Sequence, residues 1–444
     1  MELRRGLTLV HATALVVGTM LGTGVYLRSA VMAQQLGSAP LVLLAWLAAG
    51  LLSLAGALTY AELAARLPRT GGEYVFLREA FGPFAAFAFG WTRTLVGAAS
   101  QAAVAVAIAT FLAALLPWLG AWKPAVAVAA VAALTAINCA GVLAGAWMQT
   151  VLTTVKVVAL LGVVGGALLF AEEPAIAPLS DLAAGTSRPG LSAFGAAMIG
   201  ALWPYAGWNN LPMTGGETVN PGRTLPRAIV GGTLGVTVLY LCANAAYFMV
   251  LPFEQVATSN STAYPDAPAL GVRVVQMALG PSGAAILTAA FAVSALGTLN
   301  GLLLATARVG FAMARDGLLP AALGRVSPGS RAPVTAILLL GGLTAALAAA
   351  GTIDQLATSA IVGYWMFHTL CGVALFRLRR NDGLAGGAVA FKVPLFPAVP
   401  GLFVACGGWL VVNSLWTSPV EARWAFGVLA SALPAYFLFR RKLA

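Results

Sequence analysis

The sequence predicts an all-α integral membrane protein of twelve transmembrane helices, and three observations predict it. The 444 residues are 60% hydrophobic and only 9% charged, with a mean hydropathy of +0.89, a composition foreign to soluble chains of this length. Apolar stretches of about 20 residues, enough to cross a bilayer, recur from one end to the other. Between them no polar block is long enough to fold as a soluble domain.

Taken in order, the spans fall near 8–36, 38–66, 82–116, 122–142, 147–170, 191–216, 227–251, 268–315, 333–350, 353–378, 396–416 and 421–439. The third and eighth exceed a bilayer's thickness, so they tilt or run on past it. The start "MELRR" with an apolar run behind it imitates a signal peptide, but no polar mature region follows a cleavage site, so the run is expected to stay as the first span.

The charge balance follows from topology. With a net charge of +11 and a pI near 10.0 the chain could be read as a nucleic-acid binder, but such a protein gathers its basic residues on a polar face. Here they punctuate apolar runs. Most of the 25 basic residues, among them Arg4, Arg5, Arg66, Arg69, Arg78, Arg223, Arg227, Arg308, Arg315, Arg379, Arg380 and Arg440, fall on one side. The other side holds Arg28, Lys123, Arg188, Arg273 and Arg423 beside Glu172, Glu173, Asp181, Glu254, Asp266 and Asp354. Basic residues stay on the cytoplasmic side, so both termini are expected in the cytoplasm and the protein in the cytoplasmic (inner) membrane. Cys139, Cys242, Cys371 and Cys406 all fall within spans and read as buried thiols rather than a disulfide framework.

Two basic residues lie inside spans, where charge is costly and marks function by default. Lys156 sits about nine residues into the fifth span, roughly 14 Å at the helical rise. It is either functional or a structural lysine satisfied by backbone carbonyls. Arg93, in "GWTRTL", reads first as a packing or interfacial arginine.

The first span breaks its own helix. "VVGTMLGTGVYL", Val16 to Leu27, places three glycines among its apolar residues. An interrupted helix exposes free N–H groups on one half and free carbonyls on the other, tolerated in a bilayer only where they line a cavity or find partners. Free N–H groups suit a carboxylate and free carbonyls an ammonium or cation. The sixth span repeats the device: "ALWPYAGWNNLPMTGGE", Ala201 to Glu217, carries Pro204, Gly207 and Pro212. Breaks five spans apart, in segments of opposite direction, fit an inverted-repeat carrier with its site at the midplane.

Four stretches together resemble the amino acid-polyamine-organocation superfamily, and within it bacterial relatives of the L-type amino acid transporters. They are "GTMLGTGVYL", "YAELAARLPRTGGEYVFL" from Tyr60, "WPYAGWNN...GGETVNPGRTLPRAI" from Trp203 and "VSALGTLNGLLLATARVGFAMARDGLLP" from Val293. The resemblance implies a five-plus-five inverted repeat, 1–171 and 190–380, with helices eleven and twelve appended over 390–444. It implies amino-acid movement by alternating access, with the backbone N–H groups of Gly22, Thr23 and Gly24 on the substrate carboxylate. Carbonyls of Met20, Trp203 and Ala206 would take its ammonium, and Trp203 would close over it. Gly207 and Asn209 belong to the unwound segment, and Ser100 and Ser294 match positions near the site. "TGGEYVFLREAFG" resembles a short gate-side helix.

Each residue also has a plainer reading: packing for Trp203, a helix cap for Asn209, interhelical hydrogen bonds for the serines. In relatives a lysine at the Lys156 position puts its ammonium where sodium-coupled members bind a cation. That implies a sodium-independent exchanger, with a proton-coupled symporter as the alternative. The chain departs from the pattern at Pro204, which stiffens the break, at Ala206 in place of glycine, and at Gly216-Glu217, where eukaryotic relatives pair two acids and a gate-closing pair is expected to be reduced. The loop "PWLGAWKP" has no cysteine, so no disulfide-linked ancillary subunit is expected. The two broken segments have no acidic residue before Glu217, so neutral L-amino acids are the expected substrates. No cofactor is implied. A major-facilitator arrangement is opposed by the paired breaks, and a membrane enzyme by the lack of a catalytic set, since His11 and His368 are far apart.

Overall fold

The computed structural model describes residues 2–170, 190–261, 263–264, 266–350, 354–382, 389–417 and 419–440. The predicted polar loop with Glu172, Glu173, Asp181 and Arg188 lies outside the described residues, as do Arg441 and Lys442. Described residues form helices and no strands, apart from isolated bridges joining Leu7 to Thr218 and Thr70 to Thr214. Nine helical segments among them are long and apolar enough to cross a membrane, with two shorter apolar helices besides.

The first span is two helices, α1 (Leu9–Met20) and α2 (Gly24–Leu36), with Leu21 to Thr23 between them. Next come α3 (Ala39–Arg66), the short α4 (Glu73–Phe81) and α5 (Pro83–Leu115). Helices α6 (Lys123–Cys139) and α7 (Val142–Phe170) complete the first half, and α7 begins earlier than the expected fifth span. Proline enters α3, α5 and α6 in the first turn, where its missing N–H leaves no helical bond unmade.

The sixth span differs from expectation. Only α8 (Leu191–Leu202) is α-helical. After it the chain runs through turns and two short 3-10 segments, Leu211–Met213 and Gly215–Glu217. Pro212 and a run of glycines prevent a second regular half-helix. Helices α9 (Pro221–Val250) and α10 (Phe253–Ala257) come next. The expected eighth span is two helices, α11 (Leu270–Leu279) and α12 (Pro281–Arg315), split at Gly280. The last four are α13 (Val334–Ala350), α14 (Asp354–Asp382), α15 (Ala398–Thr417) and α16 (Pro419–Arg440).

Packing explains the composition. A large buried cluster joins α1, α2, α3, α4 and α9, and a second joins α5, α6, α12 and α13. Long contacts pair α3 with α9, α5 with α12 and α6 with α13. Apolar side chains such as Leu51, Val158, Leu234 and Leu338 point outward, as lipid-facing positions do. Trp118, Trp122 and Trp416 are exposed near helix ends, the position of an interfacial aromatic belt. The cysteines correct the expectation of buried thiols: all four are free, but only Cys371 is buried, and Cys242 is exposed on α9.

Amide side chains knit the interior. Asn138 Nδ2 on α6 donates to Asn300 Oδ1 on α12 (2.9 Å), and Asn300 Nδ2 donates to Gln149 Oε1 on α7 (2.9 Å). Both amide nitrogens find acceptors, while Asn138 Oδ1 is buried without a hydrogen-bond partner.

Candidate functional site

The two interrupted segments touch. Gly207 has φ +138, and a Cβ built on it would lie 2.8 Å from the Met20 nitrogen and the Thr19 carbonyl carbon. Both are backbone atoms and cannot step aside. The Thr19 hydroxyl lies 3.1 Å from the Gly207 carbonyl. The Tyr240 hydroxyl, on α9, bridges the breaks, 2.7 Å from the Met20 carbonyl and 3.1 Å from that of Pro204. At Gly24 a Cβ would meet Pro204 Cγ at 2.6 Å, so Pro204 packs against the start of α2. Gly207→Ala combines backbone clash with a φ that alanine resists. The expected result is a poorly folded protein, read as loss of the monodisperse peak in detergent size-exclusion chromatography.

Around this contact is a cavity of about 380 Å³. Met20, Gly22, Thr23, Gly24, Trp203, Ala206, Gly207, Asn209 and Ser100 all line it, so nine of the residues singled out from sequence are brought together. At the start of α2 the Tyr26 N–H donates to the Thr23 carbonyl (3.1 Å), Thr23 makes no side-chain cap bond, and the N–H groups before Tyr26 have no partner within the helix. The Met20 carbonyl accepts from Tyr240, which uses one of its two lone pairs. Ala206 N–H donates to the Trp203 carbonyl (3.1 Å). Trp203 is 45% exposed, with Arg28 of α2 5.3 Å from its ring centroid.

Lys156 and Ser294 stand behind the break instead of lining the cavity. Lys156, 4% exposed, donates from Nζ to the carbonyls of Gly18 (2.6 Å) and Leu21 (2.9 Å) and to Thr298 Oγ1 (3.0 Å). Ser294 Oγ donates to the Leu21 carbonyl at 3.3 Å. The ammonium thus satisfies the carbonyls that the end of α1 leaves free, and it makes no ion pair with a described residue.

Sequence reasoning missed the cavity's other polar wall. Arg93, Asn210, Tyr364 and His368 also line it. Arg93 is buried and faces the cavity, which corrects its reading as a packing or interfacial residue. Asn209 Nδ2 lies 3.3 Å from Glu73 Oε2, and the Tyr60 hydroxyl donates to Glu73 Oε1 (2.7 Å). The signals available were the intramembrane charge of Arg93 and the histidine in a span. Only the fold shows that they converge. No group of three or more His, Cys, Asp or Glu among the described residues is placed to hold a metal ion.

A laced network ties together the end that carries the amino terminus. Gly6 and Leu7 N–H donate to the Glu217 carbonyl (2.8 and 3.0 Å), and Gly71 N–H to that of Met213 (2.9 Å). Arg308 holds the Glu217 carboxylate with two bonds, Nε to Oε2 (2.7 Å) and Nη2 to Oε1 (3.0 Å), both side chains fully buried. Arg78 pairs with Asp316, which also accepts from Tyr74 (2.8 Å). Glu217 is therefore held through both its carbonyl and its carboxylate, with Arg308 as its ion-pair partner. The partner was not visible because Arg308 lies 91 residues away in sequence. The short helix expected from "TGGEYVFLREAFG" is α4.

A multi-pass membrane bundle with two interrupted segments meeting at a central cavity defines a class: the integral membrane permeases. The chain belongs to the amino acid permease family, part of the amino acid-polyamine-organocation superfamily; the family's sequence model matches residues 7–437. It is 30% identical to the serine/threonine exchanger SteT of Bacillus subtilis (strain 168), covering 100% of this chain and 98% of the relative. It is 28% identical to the human cystine/glutamate transporter, covering 99% and 86%, and 30% identical to the mouse b(0,+)-type amino acid transporter 1, covering 99% and 88%.

Proposed function

We propose that this protein is a secondary transporter of neutral L-amino acids that works by alternating access as a sodium-independent exchanger. The observation that carries the reading is the meeting of two breaks at one cavity. Helix-start N–H groups at Gly22, Thr23 and Gly24 and carbonyls at Met20, Trp203 and Ala206 offer opposite charge complements to a zwitterion. The serine/threonine exchanger is named for two neutral amino acids, which favours that class, while the cystine/glutamate transporter supports amino acids only in the broader sense. The pairing of α3 with α9, α5 with α12 and α6 with α13 supports five-helix repeats over 1–171 and 190–380, each pair being five spans apart. With the termini cytoplasmic, the laced end is the cytoplasmic gate and the cavity faces outward.

Lys156 supports sodium independence, because its ammonium already fills the carbonyl cluster where a bound cation would be needed. The same buried amine, with no carboxylate beside it among the described residues, favours one second reading, a proton-coupled symporter that uses Lys156 as the proton carrier. Counterflow in proteoliposomes tests both. The expected outcome is uptake of labelled neutral amino acid that requires unlabelled amino acid inside and is unchanged when sodium is replaced by choline. Uptake driven by a proton gradient into empty vesicles would select the symporter. Absence of uptake for every amino acid, with monodisperse protein, would remove both.

A further inference from the structure

Glu73, the first residue of α4, carries a carboxylate that the proposed binding groups do not use. It is fully buried, and a buried charge is costly unless it is well bonded. Three elements distant in sequence supply its bonds. The Tyr60 hydroxyl on α3 donates to Oε1 (2.7 Å), His368 Nε2 on α14 lies 3.3 Å from the same oxygen, and Asn209 Nδ2 in the second break lies 3.3 Å from Oε2. Apolar packing alone would seat α4 without this cost; a carboxylate fixes it to particular partners, of which Asn209 belongs to the cavity wall.

The chain before α4 is fitted to the same break. Gly71 N–H donates to the Met213 carbonyl (2.9 Å). A Cβ at Gly72, whose φ is +54, would lie 2.8 Å from the Met213 nitrogen, so the two backbones touch. The second break and the start of α4 are thus joined at Asn209 and again at Met213.

A different side of α4 faces the end of α12, because successive helical residues point about 100° apart. The Tyr74 hydroxyl donates to Asp316 Oδ2 (2.8 Å), and Arg78 pairs with the same carboxylate. Asp316 is the C-cap of α12, the helix whose Arg308 holds Glu217. With nine residues, α4 is roughly 13 Å long, short enough to move as one rigid piece.

We propose that Glu73 is a positioning residue that couples the cavity to the amino-terminal end through α4. A shift of the second break on amino-acid binding passes through the Glu73 carboxylate to α4, and Tyr74 and Arg78 then leave Asp316. This inference rests on the proposed transport of amino acids and adds the element that links binding to opening of the laced end.

The test labels Gly6→Cys in proteoliposomes with a membrane-impermeant maleimide from the terminal side, with and without the neutral amino acid that exchanges fastest in counterflow. The chain without that substitution serves as the blank. The amino acid is expected to change the labelling rate on the order of fivefold, the low end of typical coupling between sites. In Glu73→Met, which removes both acceptors, and in Tyr74→Phe, which removes the bond to Asp316, the change is expected to fall below about twofold. Counterflow is expected to slow in both while half-saturation stays near wild type, since the binding groups are untouched. Combining the two is expected to do no more than the stronger alone, as links of one chain behave. A merely structural role for Glu73 would lower melting and leave the labelling ratio intact. A wild-type ratio near one, an unchanged ratio in both variants, half-saturation rising in step with the lost rate, or independent losses in the double variant would overturn the coupling. Tyr74→Phe, which keeps the aromatic ring, decides if Glu73→Met does not fold. A wild-type protein that exchanges no amino acid would instead overturn the proposed function.

Discussion

Replacing Lys156 with methionine is expected to abolish counterflow and to lower thermal stability together. Methionine approximates the lysine stem but removes the three donors that hold the Gly18 and Leu21 carbonyls and Thr298 Oγ1. The Leu21 carbonyl keeps Ser294 Oγ (3.3 Å), but the Gly18 carbonyl loses this donor, and a buried acceptor left unsatisfied costs about 1–3 kcal/mol. A Cβ at Gly297 would lie 2.8 Å from Lys156 Cε, so α12 is fitted closely to the lysine stem. The measurements are counterflow at equal reconstituted protein and melting followed by size-exclusion chromatography. Wild-type exchange and melting in the variant would show that the ammonium neither shapes nor supports the break.

The second large effect is expected at the laced end. Arg308→Met leaves the Glu217 carboxylate buried without its partner. Breaking a buried ion pair from one side costs about 3–5 kcal/mol, whereas replacing both partners by neutral groups costs much less. The double variant Glu217→Gln, Arg308→Met is therefore expected to melt above the single variant Arg308→Met. Because Glu217 also receives Gly6 and Leu7 through its carbonyl, loosening it should free the amino-terminal segment. A cysteine placed at Gly6 is expected to react faster with a membrane-impermeant maleimide, applied from the terminal side, in the single variant. Equal melting of single and double variants would mean that the pair does not hold this end together.

Much of the site was legible because backbone breakers are local signals. Glycine and proline restrict or free the chain wherever they occur, so "GTMLGTG" and "WPYAGWNN" marked both interruptions. Spacing of five spans was enough to expect them to meet. The form of the second break was less legible. A half-helix was expected to resume, but Pro212 and the glycines around it yield turns and 3-10 segments. Local propensity identified the interruption but not the conformation of the chain beyond it.

Arg93 shows the opposite case. Its charge inside a span was visible, but whether it faced lipid, a neighbouring helix or the cavity depended on the rotation of α5 against α12 and α14. Arg308 and Glu217 were each visible as charged residues near span ends, and nothing local paired them. Ser100 and Ser294 were equivalent by sequence, yet Ser100 lines the cavity and Ser294 binds the Leu21 carbonyl from behind.

The sequence by itself determined the membrane class, the two interrupted segments and the burial of a lysine beside them. These follow from composition, hydropathy and backbone freedom, which act over one span at a time. Tertiary structure alone decided which groups the interruptions face. It set Gly207 against Met20, the Lys156 ammonium onto the carbonyls of Gly18 and Leu21, and Glu73 against Asn209. Such pairings depend on how helices distant in sequence rotate and pack, and no local pattern carries that information.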